Sequence, residues 1–71
     1  MYNKAMRFSE RLKELRTERK ITQTDLAKSI GYTQKAVSKW ELGKTEPTAS
    51  ALIKIAAFFK ESIDYLLGLE N

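Results

Sequence analysis

Four side chains with hydrogen-bonding groups crowd one short stretch: Gln34, Lys35, Ser38 and Lys39, within TQTDLAKSIGYTQKAVSKWELGK at residues 22–44. On a helix turning ~100° per residue they point to one side, and Ala36, Val37 and Trp40 point to the other. A glutamine carboxamide matches the N6 and N7 of adenine, a lysine donates to the O6 and N7 of guanine, and a serine serves either base. The set therefore suits the edges of bases in a major groove; the alternative is an ordinary solvated helix face. Catalytic chemistry finds no comparable set. The chain has no cysteine and no histidine, and no carboxylate pair or activated nucleophile is arranged for acid–base or covalent catalysis. An enzyme, a disulfide framework, a zinc or iron site and a cofactor are all unexpected.

The elements that must carry these residues belong to one small unit. A chain of 71 residues has room for a single domain, 1–71, and its 42% hydrophobic and 31% charged residues suit a globular fold. Apolar runs such as IAAFF and YLLGL fall far short of the ~20 residues needed to span a membrane. The N-terminus also lacks a signal-peptide layout, so a cytoplasmic protein is expected. Charge is uneven: residues 1–45 hold eleven lysines and arginines against five carboxylates, and residues 46–71 hold two against four. The overall +4 and the basic front fit a polyanionic partner, since each neutralised phosphate releases condensed counterions. A solubility charge spread over wet helix faces is the plainer explanation.

Apolar spacing is helical almost throughout and nowhere alternates in twos, so the class is all-α. Phe8, Leu12 and Leu15 form the stripe of a first helix, roughly 7–19. Thr22 is placed to cap a second, 23–30, accepting from the Asp25 amide, with a Glu or Gln at 25 needed for the fuller capping box. Ile21 and Leu26 are spaced as a hydrophobic staple. Thr33, with Tyr32 and Val37, repeats the pattern for a third helix, 34 to about 42, ended by Gly43. Two such helices meeting at Gly31 over two or three residues match a helix-turn-helix unit. Thr48 is placed to cap a fourth, with Leu52, Ile55, Ala56 and Phe59 on one side and Ile53 and Phe58 widening that face. Ser62 is placed to cap a last short helix, 63–67.

With these residues in view the chain resembles the helix-turn-helix family of phage repressors and Cro. Gln23, Ala27, Gly31, Val37 and Trp40 stand at that family's diagnostic positions, and the Trp-Glu-x-Gly-x-x-x-Pro segment and the ending SIDYLLG are similar too. The resemblance runs from Phe8 to Gly68. It implies a compact five-helix bundle of lambda-repressor-like type and a transcriptional regulator, most simply a repressor, that inserts its third helix into operator DNA. Gln34, Lys35, Ser38 and Lys39 then match base-reading positions, Gln23, Thr33 and Lys44 match contacts to the phosphate backbone, and Arg16 and Glu41 match a structural ion pair. Trp40 is expected to pack in the core, with its N–H able to reach a phosphate. Two departures stand out: Leu42 where the family commonly has a polar residue, and Glu61 where it usually has an apolar one.

Phe59, Ile63, Leu66, Leu67 and Leu69 offer more apolar surface than a small core absorbs, which suggests a homodimer on a palindrome with half-sites about 34 Å apart; otherwise they simply close the core. Competing roles are an antitoxin-like DNA-binding protein that also holds a toxin or regulatory protein through its acidic C-terminal third, and an interaction module of the same fold.

Overall fold

A computed structural model describes residues 7–69; residues 1–6, 70 and 71 of the expected single domain lie outside them. The described residues form five helices and no strand: α1 (Phe8–Glu18), α2 (Gln23–Ile30), α3 (Gln34–Glu41), α4 (Ala49–Phe59) and α5 (Ile63–Leu66).

Side-chain caps set most helix starts. Thr22, Thr33, Thr48 and Ser62 each hold an extended backbone and accept from the amide three residues on. At α2 the box is complete: the Asp25 carboxylate accepts from the Thr22 amide at 3.0 Å, reciprocating the bond its own amide makes to the Thr22 hydroxyl. The shorter Asp suffices where a Glu or Gln was expected. Helix α1 begins one residue later than its stripe suggested, because Arg7 is extended and its amide donates to Glu10 Oε1 at 3.1 Å. Leu42, expected inside α3, is instead its C-terminal cap.

The core is Leu12, Leu15, Leu26, Ala27, Ile30, Val37, Trp40, Ala51, Ile55, Ala56, Phe59 and Leu66. Helix α3 packs on α1 and α2, α2 also touches α4, and α5 closes the bundle against α1 and α4. Trp40 is buried as expected, and its ring meets Tyr32 edge to face at 5.4 Å.

Two expectations about the apolar residues need correction. Ile53 is 59% exposed; the inward stripe of α4 is Ala51, Ile55 and Phe59 at i, i+4 and i+8, which turns Ile53 outward. Phe59 and Leu66 are 2% and 0% exposed, so both are consumed by the core and cannot form a dimer contact. Of the proposed set, Ile63 and Leu67 are half-buried and Leu69 is exposed. Leu42 is 65% exposed, an apolar side chain in solvent beside α3. Glu61 is half-buried, and its amide donates back to the Ala56 carbonyl across the end of α4.

Candidate nucleic-acid interface

The turn between α2 and α3 decides where the polar residues point. Gly31 has φ +79°, and its amide and that of Tyr32 both donate to the Ala27 carbonyl, which ends α2 and starts the chain in a new direction within two residues. Ala27, 2% exposed, lets the helices cross closely. Val37 and Trp40 then face the core, and Gln34, Lys35 and Lys39 are exposed with Ser38 half-buried on the opposite side. All four residues expected on one face of α3 are brought together. Thr33 and Lys44 flank them, both exposed. The Thr33 hydroxyl accepts from the Ala36 amide at 3.1 Å.

Beneath this face lies a part-buried ion pair. Arg16 donates through Nε to Glu41 Oε2 at 2.6 Å and through Nη2 to Oε1 at 2.9 Å, and its Nη1 reaches the Ile21 carbonyl at 2.9 Å. The two side chains are only 12% and 3% exposed. The hydrogen bond to Glu41 raises the Arg16 pKa further above its ordinary value, against the opposing effect of burial. One guanidinium thus joins α1, the entry to α2 and the end of α3, in the bidentate geometry that suits arginine.

The structure adds couplings that residue type and spacing did not reveal. Gln23, read as a phosphate contact, donates from Nε2 to Glu41 Oε1 at 3.0 Å, and Gln34 donates from Nε2 to Gln23 Oε1 at 2.6 Å. Both glutamines directly follow a threonine cap, but only the crossing of α2 and α3 brings them together. Arg19 reaches the end of α4, where Nη2 donates to the Phe59 carbonyl at 3.0 Å. That placement satisfies a helix C-terminus with a cation. Arg11 lies over the Tyr65 ring at 3.9 Å and ties α1 to α5.

Electrostatically, the face is uncompensated. The two ion pairs among the described residues are Arg11–Glu14 and Arg16–Glu41, and Lys35, Lys39 and Lys44 belong to neither. No cluster of candidate metal ligands occurs among the described residues, and no described helix is long and apolar enough to cross a membrane.

A small helical bundle whose second and third helices meet at a left-handed glycine, with a polar and cationic third helix turned outward, is a helix-turn-helix domain. A helix-turn-helix family model matches residues 12–66, and the chain belongs to that family. Among similar proteins is the HTH-type transcriptional activator BcrR of Enterococcus faecalis, 43% identical over 66 residues that make up 93% of this chain and 32% of BcrR. The chain thus spans about a third of that relative's length. A crystal structure of the P22 c2 repressor in complex with a synthetic operator superposes with a TM-score of 0.86 at 34% identity, covering 92% of this chain and 98% of that one. The hydroxypropylphosphonic acid epoxidase of S. wedmorenis also carries this fold, at a TM-score of 0.75 and 36% identity over 84% of this chain and 32% of the epoxidase. The match to that enzyme is confined to a helical portion the size of this chain.

Proposed function

We propose that the chain is the DNA-reading domain of a transcriptional regulator and acts by occupying an operator, with α3 lying in the major groove. The observation that carries the reading is the outward face of α3, where Gln34, Lys35, Ser38 and Lys39 stand clear of the core and no carboxylate pairs with the lysines. The operator-bound P22 c2 repressor, similar over nearly the whole chain, supports binding to an operator by this domain. In this reading Gln34, Lys35, Ser38 and Lys39 meet base edges and carry sequence choice. Gln23, Thr33 and Lys44 hold the phosphate backbone and set register. Helix N-termini suit the second task, since their free N–H groups and dipole favour anions.

Sequence choice is best served by a two-fold dimer on a palindrome, with Ile63, Leu67 and Leu69 as the apolar surface left for a second copy. Similarity to both an activator and a repressor fits a domain that supplies the address, with the sign of regulation set by where the operator lies. Selection of bound duplexes from a random pool tests the reading. The expected result is a single enriched motif, palindromic about its centre, that competes far better than random duplex. Equal competition by random duplex would remove the sequence-reading role.

A further inference from the structure

Leu42 caps α3 with a helical backbone, φ −86° and ψ −5°, so its side chain keeps the phase of the helix it ends. At about 100° per residue it falls about 80° round the axis from Gln34, between Ser38 at about 40° and Lys35 at about 100°, with Lys39 at about 140°. The leucine thus stands on the midline of the polar face, turned away from Val37 and Trp40. It is 65% exposed, and it is not among the apolar residues packed on the core.

The turn that follows fixes this position. The Leu42 amide donates to the Ser38 carbonyl at 3.0 Å, the Gly43 amide to the Trp40 carbonyl at 3.1 Å and the Lys44 amide to the Lys39 carbonyl at 2.9 Å, with Gly43 at φ 75°. The last two bonds close a glycine-ended helix and hold Leu42 between Lys39, assigned to a base edge, and Lys44, assigned to phosphate. Along the axis it lies one turn, about 6 Å, beyond Ser38. A lone exposed leucine is ordinary on a protein surface; this one is placed where base edges come. Those edges carry donors and acceptors and one apolar group, the C5-methyl of thymine. Against a donor or acceptor, leucine strips water and returns no hydrogen bond. Against a methyl it buries apolar area on both sides.

We propose that Leu42 is a specificity-determining residue that reads a pyrimidine C5-methyl group, one turn of helix beyond Ser38. Thymine carries that group in ordinary DNA, and 5-methylcytosine carries it in modified DNA. The inference rests on α3 being the helix that enters the groove.

Deoxyuridine in place of thymine tests it, because the change removes the C5-methyl and keeps every hydrogen-bonding group of the base. On the duplex selected from a random pool, each thymine of a half-site is replaced in turn, and affinity is read by fluorescence anisotropy for the parent, Leu42→Asn and Leu42→Met. At one position the parent should lose about fourfold, the worth of one buried methyl. There Leu42→Asn should bind thymine and deoxyuridine equally, while keeping the parent's response at the other positions, and Leu42→Met, still apolar, should keep most of the loss. With cytosine at that position, 5-methylcytosine should bind the parent about fourfold tighter than cytosine, and Leu42→Asn no tighter. A parent indifferent to deoxyuridine at every thymine, or a loss that persists in full in Leu42→Asn, overturns the inference and leaves groove reading intact. If the parent enriches no duplex at all, groove reading fails and the methyl reading falls with it.

Discussion

Residues on the outward face of α3 and residues beneath it should respond to substitution in opposite ways. Lys39 and Gln34 are exposed and contribute nothing to the core, so Lys39→Ala and Gln34→Ala should leave stability nearly unchanged. On the selected operator each should cost about 1–3 kcal/mol, with little effect on random duplex. Fluorescence anisotropy against both duplexes checks this. Lys44→Ala should weaken all sequences alike and lower the slope of log affinity against log salt by about one. Glu41→Ala strands the Arg16 guanidinium in a site where its side chain is 12% exposed. It should cost about 3 kcal/mol in urea unfolding, and Arg16→Met combined with Glu41→Leu should recover most of the loss, since a packed apolar pair avoids stranding a charge. The types of these residues were legible in the sequence, and family resemblance paired Arg16 with Glu41. The Gln34–Gln23–Glu41 chain was not legible, because residues 11 and 18 positions apart meet only when helices cross.

Helix ends are where backbone conformation outweighs packing. Gly31 has open space where a Cβ would stand, with nothing within 4 Å. Gly31→Ala should therefore destabilise by only about 1–2 kcal/mol, through the left-handed φ alone. Lys60 ends α4 at φ 59° without being a glycine. Lys60→Gly should relieve that conformation and raise stability by up to about 1 kcal/mol, less the entropy a glycine adds to the unfolded chain. Urea midpoints measure both. The capping box of α2 predicts a pH effect. The Thr22 amide, then the Thr22 hydroxyl, hold the Asp25 carboxyl below its ordinary value, so the unfolded chain takes up this proton first as pH falls. The cap's contribution is complete above the ordinary carboxylate value and is lost as pH drops through the lowered one. Asp25→Asn should flatten the corresponding part of the acid limb, below the ordinary carboxylate value. Helix existence and caps were readable from threonine, serine and glycine positions. The stripe of α4 was misjudged because Ala51 carries little hydrophobic signal, yet it fills a fully buried site, and the larger Ile53 lies outside.

For the whole molecule, the question is how much apolar surface remains once the core is closed. Phe59 and Leu66 are inside it, so a second copy would meet a smaller patch of Ile63, Leu67 and Leu69. That patch favours a weak dimer assembled on DNA over a stable one in solution. Sedimentation should find monomers at micromolar concentration without DNA and two chains per palindrome with it; one chain per palindrome would remove the dimer. Leu69→Asp should reduce binding to the full palindrome more than binding to a half-site.

Caps, glycines and apolar periods are local properties, read within a turn or two of helix, and they suffice for an all-α chain of five helices with a sharp bend at Gly31. The same locality shows which residues of α3 must face away from Val37 and Trp40. What lies between helices follows from three-dimensional crossing alone. The crossing puts Phe59 and Leu66 at the centre and leaves Leu42 and Ile53 in solvent. It also carries Arg19 to the carbonyls of α4 and joins an exposed glutamine to a buried carboxylate through a second glutamine. Those contacts link residues far apart in the chain, and no periodicity within one helix encodes which partner the fold will bring.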